Sequence, residues 1–471
     1  MNRKYTMTIG GKAVAADHYE DILNPSTRLA VGQSPIGTTS DLDHAVATAE
    51  RAFVSWRAES EETRQEACRA IAAVLQAHAP ELSVLLTQEQ GKPLKGRGSE
   101  FELEGCAAWA AHTATLSLPM KVIEASERSR IEMRRAPIGV VGSITPWNWP
   151  LLIAIWHVVP AVRTGNTVVI KPSPFTPLST LRMIELINQV LPPGVVNSVA
   201  GGDELGAQLS RHPRIGKIVF TGSIATGRKV MASAAPTLKP LTLELGGNDP
   251  GIVLPDADPD KLAERLFWGA FINSGQTCGA LKRLYVHESL YTRTCDALIK
   301  FAAQVPMGDG MNVHNVLGPL QNERQYRKVI ELVDDARARG ARILTGGAPG
   351  AGPGFFYPVT LVADIEDGAR LVDEEQFGPV LPIIRYRDVD DAVRRANDSE
   401  FGLDASVWGS DPVATSAVAS RLEAGTVYIN KHAEIAPHVP FGGIKCSGLG
   451  VEFAEEGLAA YTTIRIRNAA A

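Results

Sequence analysis

Cysteine is scarce and scattered: five in 471 residues (Cys68, Cys106, Cys278, Cys295, Cys446), an odd number with no CxxC spacing. That argues against a disulfide framework and against a zinc site, and points to a reducing cytoplasm with no metal ion. Long apolar runs are missing too. The longest, Pro150 to Val162, contains His157 and Pro160 and falls short of the about 20 residues that a bilayer-crossing helix needs. The opening stretch MNRKYTMTIGGKAVAADHYED has no apolar signal core and no cleavage site, so neither a membrane nor an export route is expected. Neither sign of charge dominates: 47 basic against 52 acidic side chains leave −5 with histidines neutral, which gives no hint of a nucleic-acid partner. Repeats and low-complexity tracts are absent, and GGAPGAGPG at 346–354 is expected to be a surface loop.

What is present fits a globular protein of two or three compact units, at 45% hydrophobic and 21% charged residues. Residues 40–90 carry apolar side chains at helical spacing (Ala45, Ala49, Phe53, Trp56; Ile71, Val74, Leu75), with Ser40 and Asp41 as expected N-caps. From 138 the texture changes. Short apolar strands (IGVVGSI, NTVVIKPS, GVVNSVAG, KIVFTGS) alternate with amphipathic stretches, the pattern of a parallel sheet with helices on both faces. This predicts an α/β nucleotide-binding layer ending near 246. A second α/β series follows, with helices expected near 258–273, 290–304, 321–339, 388–397 and 412–424. KVIEASERSRIEMRR at 121–135 and the C-terminal TTIRIRN alternate charged and apolar residues and read as edge strands that pair with another subunit.

Chemistry concentrates where glycine meets reactive side chains. In FINSGQTCGALKRLYV (271–286) an apolar helical run breaks at Asn273-Ser274-Gly275-Gln276 and presents Cys278 between Thr277 and Gly279. A packing cysteine needs no such break, whereas a nucleophile must be uncovered and assisted, because a free thiol of pKa ~8.5 is only a few per cent ionised at neutral pH. Cys68, Cys106 and Cys295 lie in helical patterns and read as core or surface residues. In TPWNWP (145–150) Asn148 follows a strand end, either as a donor to a developing oxyanion or as a simple turn residue. In VVIKPSPFTP (168–177) Lys171 stands where strand becomes helix, either meeting a cofactor's ribose or phosphate or merely solvated. FTGSIATGRK (220–229) opens a helix with glycine, a phosphate-compatible arrangement without a full GxGxxG fingerprint. In LTLELGGNDPGIVL (241–254) Glu244 ends an apolar strand before two glycines. It is either a poorly solvated general base or a structural cap.

Together these stretches resemble the aldehyde dehydrogenase superfamily. TPWNWP, IKPS, FTGSxxxG, LELGGN, GQTC, EEQFGPV (374–380) and PFGGIKCSG (440–448) occur in that family's order over nearly the whole chain. The resemblance implies an aldehyde dehydrogenase-like α/β fold. Its Rossmann-type cofactor domain would comprise residues 1–118 and 139–246, with 438–457 returning to it. An α/β catalytic domain would occupy 247–437, and oligomerisation strands 119–138 and 458–471 would serve a homodimer or homotetramer. The implied reaction is NAD(P)-dependent oxidation of a small aldehyde to the acid by the hydrolytic route. A coenzyme A-acylating enzyme and a non-catalytic structural protein of the same fold are the alternatives.

By position, Cys278 is implied as the nucleophile, Asn148 with the Cys278 amide as the oxyanion site, and Glu244 as the base that frees the acid. Lys171 belongs to both the catalytic and the cofactor sets. With Ser173 it would meet the adenosine ribose, and Ile144, Thr145, Pro146, Trp147, Pro174 and Gly206 are also implied to contact the cofactor. Gly222 and Ser223 would meet the pyrophosphate region, and Phe220, Thr221 and Thr226 are further implied cofactor contacts. Leu245 and Gly246 would approach the nicotinamide, with Glu375 on its ribose and Phe377 against the ring. Trp149, Ile153, Trp156, Ile272 and Thr277 are implied to line an apolar access tunnel, with His432, Glu434 and His438 in a solvated loop at its mouth. No arginine is evident there to hold a distal carboxylate. Pro174 stands where many NAD-using members have glutamate, so the cofactor expectation is NAD with NADP tolerated.

Overall fold

Five apolar strands, almost wholly buried, form the parallel heart of the first sheet: Val140–Ile144, Thr167–Lys171, Val196–Ser198, Lys217–Thr221 and Leu241–Glu244. They come from a computed structural model that describes residues 3–470. Residues 1 and 2 of the expected cofactor domain and residue 471 of the expected C-terminal strand lie outside it. Burial on both faces is what requires continuous rather than alternating apolar sequence. In space the five run third, second, first, fourth, fifth in chain order, and antiparallel pieces extend both edges: Gly448–Leu449 beside Leu241–Glu244, and Met7–Ile9 with Lys12–Val14 beside Val196–Ser198. The order reverses between Val140–Ile144 and Lys217–Thr221. Just outside the carboxyl ends of those two strands is where open α/β sheets bind ligands.

The second sheet has seven strands, from Arg342–Thr345 at one edge, through Leu281–His287 and Asp249–Val253 at its centre, to Thr426–Ile429 at the other. Helices Pro259–Phe271, Tyr291–Ala302, Glu323–Ala338, Val389–Asn397 and Pro412–Ala419 connect and flank it. The two alternating segments do have a home. Thr462–Ala470 pairs antiparallel with Ser129–Pro137 over its whole length, and Ser129–Pro137 also pairs with Lys121–Ala125. The outer strands of this small sheet leave Val122, Ile123, Ile464 and Ile466 exposed.

The first long helix, Thr39–Trp56, corrects the expected caps. Its N-cap is Thr38: the Thr38 hydroxyl accepts from Asp41 N, and the Asp41 carboxylate accepts from Thr38 N at 2.8 Å. The reciprocal box satisfies two otherwise orphaned amides, which a start at Ser40 leaves open.

The nearly all-apolar helix Pro150–Arg163 is anchored by a carboxylate from far upstream. Glu102 Oε1 accepts from Leu151 N and Leu152 N at 2.9 and 3.1 Å, and its Oε2 takes Lys92 Nζ at 2.5 Å. Both side chains are fully buried. Removing one partner of such a pair leaves an uncompensated charge. Glu102→Ala is therefore expected to lose about 3–5 kcal/mol of stability. Lys92→Met with Glu102→Gln, which leaves no lone charge, should recover part of it. Thermal and denaturant midpoints of the two variants check this, and an unshifted Glu102→Ala midpoint refutes it.

Candidate active site

Backbone strain presents Cys278. Helix Pro259–Phe271 stops, and Asn273, Ser274 and Gly275 follow with φ of 51°, 55° and 74°. Three consecutive left-handed residues persist only where their surroundings hold them. Ser274 Oγ donates to Gly318 O at 2.7 Å, Asn273 Nδ2 to Asn148 O at 2.9 Å, and Gln276 Nε2 to Asn273 O at 3.0 Å. At Gly275 a Cβ would lie 2.1 Å from Gly378 O, so only glycine fits. The chain then turns into Leu281–His287, with Cys278 half-buried at the turn.

Asn148 is fixed from three sides. Its carbonyl accepts from Lys92 Nζ at 2.8 Å and from Asn273, while its own Nδ2 donates one hydrogen to Gln276 O at 3.0 Å. A carboxamide carries two hydrogens, and the second remains for a ligand oxygen. Beside it Trp149 Nε1 donates to Thr277 Oγ1 at 3.0 Å, and Lys92 Nζ sits 3.6 Å from the Trp149 ring centroid.

Glu244 ends its strand buried, and among the described residues its oxygens have no partner other than the neighbouring Cys278 thiol. Burial pushes its carboxyl well above the ordinary range. Glu452, Asp404 and Glu375 add to the rise, and the Cys278 thiol beside it pulls back. Burial likewise raises the Cys278 thiol, and Glu244 and Asp404 raise it further. Lys282 and the Gly279 amide oppose them.

One cavity of about 340 Å³ gathers Pro146, Trp147 and Asn148, then Thr221, Gly222 and Ser223, then Glu244, Leu245 and Gly246, and finally Cys278, Glu375 and Phe377. It lies at the reversal of strand order. Phe377 holds φ of 48° and meets Trp147 edge-on at 5.3 Å. Glu375 Oε1 accepts from Gly247 N at 3.1 Å, and a Cβ on Gly246 would lie 2.5 Å from Glu375 Oε2. Burial raises the Glu375 carboxyl, while Lys282 and Lys328 hold it down. Ser223 caps helix Ile224–Ala234 by accepting from Thr226 N, and Ser223 Oγ also donates to Thr226 Oγ1 at 3.0 Å. Ile144 and Phe220 lie in the core beneath, and Thr145 N donates to Lys171 O at 3.2 Å.

The remaining cofactor candidates stand one strand over. Lys171 Nζ donates to Pro172 O at 3.0 Å, and its side chain runs 3.6 Å from where a Gly206 Cβ would be. Burial pulls its pKa down to about 8, against the pull of Asp203. Ser173 Oγ accepts from Phe175 N at 3.3 Å, beside the half-buried Pro174.

Three lining residues escaped sequence reading: Arg324, Gln325 and Lys328 on helix Glu323–Ala338. Two cations four residues apart share a helix face, and that spacing in NERQYRK is the signal that was available. Lys328 Nζ donates to Glu375 O at 2.7 Å, and Gln325 Nε2 to Gln376 O at 2.7 Å.

The substrate side departs from expectation. Trp149, Ile153, Trp156 and Ile272 belong to one hydrophobic cluster, against which Trp109, Ile435 and Phe453 pack. Ile153 is 1% exposed. Trp156 packs at 4.7 Å on Phe453. Ile272 reaches a separate groove of about 290 Å³ that contains Arg97, Arg265 and Lys431 together with Glu264 and Glu434. Arginine thus arrives from parts of the chain remote from the tunnel motifs. His438 is exposed as expected, but His432 is not a solvated loop residue. Its ring is buried, 3.7 Å from Asp249 Oδ2 and packed by Tyr428.

Residues 13–466 match the sequence profile of the aldehyde dehydrogenase family. The chain belongs to this family. A probable aldehyde dehydrogenase of a Pseudomonas species is 42% identical over 98% of this chain and 93% of its own. Among solved structures, an NADP-dependent enzyme of E. coli is 34% identical with a TM-score of 0.97, over 100% of this chain and 98% of its own. A betaine aldehyde dehydrogenase of Staphylococcus aureus in complex with NAD+ is 33% identical with a TM-score of 0.95, over 98% and 94%. Membership makes the chain an oxidoreductase that acts on aldehydes with a nicotinamide dinucleotide.

Proposed function

We propose that this chain oxidises an aldehyde to the carboxylic acid by covalent capture on Cys278, with NAD as oxidant and NADP tolerated. The observation that carries this reading is the meeting of the Cys278 thiol, the buried Glu244 carboxylate and the Asn148 amide in one cavity at the reversal of strand order. An aldehyde carbon gives up hydride only once it is tetrahedral, so attack by the thiolate comes first. The Cys278 amide and the free Asn148 hydrogen hold the resulting oxyanion. After oxidation the acyl group is a thioester on Cys278. Glu244, as carboxylate, takes a proton from the water that hydrolyses it.

The dinucleotide fits the residues present. Gly222 and Gly246 leave backbone bare where a side chain would block it, Ser223 opens a helix, and Glu375 offers a carboxylate to ribose hydroxyls. When bound, it supplies the hydride acceptor. At the adenosine end the neutral Pro174 neither accepts from a ribose hydroxyl nor repels a 2′-phosphate, while Asp203 beside Lys171 disfavours extra negative charge.

The eight-stranded sheet supports reading 1–118 and 139–246, with the returning 438–457, as cofactor domain, and the seven-stranded sheet supports 247–437 as catalytic domain. Exposed Ile123, Ile464 and Ile466 on unpaired strand edges support a homo-oligomer through the small sheet. No single helix among the described residues is long and apolar enough to cross a membrane. Five free thiols fit a cytoplasmic setting. The groove beside Ile272 carries both signs of charge and favours neither a cationic nor an anionic aldehyde.

One assay tests the reading: NADH formation from a panel of aliphatic and aromatic aldehydes, with and without coenzyme A, repeated with NADP. Turnover without coenzyme A is expected, because Glu244 can activate water. A requirement for coenzyme A overturns the hydrolytic route, and silence with every aldehyde favours a non-catalytic protein. A hundredfold preference for NADP, about 2.7 kcal/mol, overturns the cofactor assignment.

A further inference from the structure

We propose that Lys282 is a positioning residue whose single buried ammonium, shared between the Cys278 loop and Glu375, sets the reactivity of the nucleophile and the affinity of the cofactor carboxylate together. This rests on the reading of Cys278 and Glu375 given above. Lys282 is the second residue of strand Leu281–His287, and its side chain folds back under the turn it follows. Nζ donates to Thr277 O at 2.8 Å and to Cys278 O at 2.6 Å, and stands 3.4 Å from Glu375 Oε1. It lies 5.5 Å from the centroid of the Phe377 ring. The side chain is 3% exposed and is not among the residues lining the cavity.

An ammonium has three hydrogens and no acceptor, and here three oxygens surround it. A charge this deeply buried persists only when so partnered. The partners are the backbone of the nucleophile and the carboxylate across from it, and Glu375 is tied in turn to Gly247 in the turn after Glu244. The charged groups acting on Cys278 are Glu244 and Asp404, which raise its pKa, and Lys282, which lowers it. Those acting on Glu375 are Lys282 and Lys328, which lower its pKa, and Asp249, which raises it. Lys282 is common to both sets. Its positive charge favours the thiolate and also keeps Glu375 ionised as an acceptor, so both settings shift when it is lost.

The test uses the full-length protein and needs no turnover. The pH dependence of Cys278 alkylation by iodoacetamide, read by mass spectrometry of the peptide, is compared across wild type, Lys282→Met and Lys282→Arg, alongside NAD binding. For Lys282→Met the alkylation midpoint is expected to rise by about one pH unit and NAD to bind roughly tenfold more weakly. Lys282→Arg keeps the charge in a planar fork that cannot serve all three oxygens. Its midpoint should stay near wild type while NAD binding weakens. A merely structural role lowers the unfolding temperature without moving the alkylation midpoint. A wild-type midpoint in Lys282→Met, or a midpoint in Lys282→Arg as high as that of Lys282→Met, overturns the proposal. Lys282→Gln, neutral but still a donor, supplies the same readouts where the methionine variant does not fold. Full activity in Cys278→Ala would instead sink the underlying assignment of the nucleophile.

Discussion

Cys278→Ala is expected to lose NADH formation by at least about ten-thousandfold, or about 5.4 kcal/mol, and to lose ester hydrolysis with it, while folding as wild type does. The fold survives because the turn is held mainly through its backbone. Lys282 grips the carbonyls of Thr277 and Cys278, and Ser274, Asn273 and Gln276 lock the left-handed segment before them. Alanine keeps all of those backbone bonds. No other cysteine can substitute. Cys68, Cys106 and Cys295 are packed into hydrophobic cores, and none of them lines the cavity. Cys446, though partly exposed, lies against Arg228 on the outer surface of the cofactor sheet's edge, 3.3 Å from its guanidinium. Steady-state rates with the best aldehyde, together with unfolding midpoints, check the prediction. Retained activity, or an acyl adduct found by mass spectrometry on a different residue of quenched wild-type enzyme, refutes it.

Much of this was legible in the sequence because the chemistry sits at strand ends. Apolar runs buried on both faces announced the parallel strands, and the residues just past them, TPWN, TGS and ELGG, are the ones the reversed strand order brings together. What local pattern could not show is which distant side chain arrives. Lys92 reaches Asn148 across 56 residues, Glu375 reaches Gly247 across 128, and Arg97 joins the groove of Ile272 from a separate loop. The expected substrate contacts Trp149, Ile153 and Trp156 rested on the family resemblance, and local pattern could not show that Trp109 and Phe453 pack beside them. His432 was read from loop composition, and a loop residue is buried whenever other elements close over it, as Tyr428 and Asp249 do here.

Glu244→Gln should separate the two halves of the reaction. The amide keeps the size of the side chain and removes its ability to take a proton, in a pocket where, among the described residues, the carboxylate has no partner but the Cys278 thiol to lose. Folding is therefore expected to be unaffected. The enzyme should release one equivalent of NADH per active site and then stall as the Cys278 thioester, with steady turnover down by about a hundred- to ten-thousandfold, the usual worth of a general base. Because burial and the nearby carboxylates of Glu452, Asp404 and Glu375 raise the Glu244 pKa, only the fraction deprotonated can act. Wild-type turnover should accordingly rise with pH through that elevated value and flatten above it. In Glu244→Gln this ascending limb should vanish from the residual rate. Rapid-quench measurement of the burst, intact mass of the stalled enzyme and the two pH profiles decide the matter. If Glu244 also took the thiol proton, the burst itself would slow; an unchanged burst rate confines it to hydrolysis. Steady turnover near wild type, or a residual rate with the same ascending limb, would show that another group activates the water.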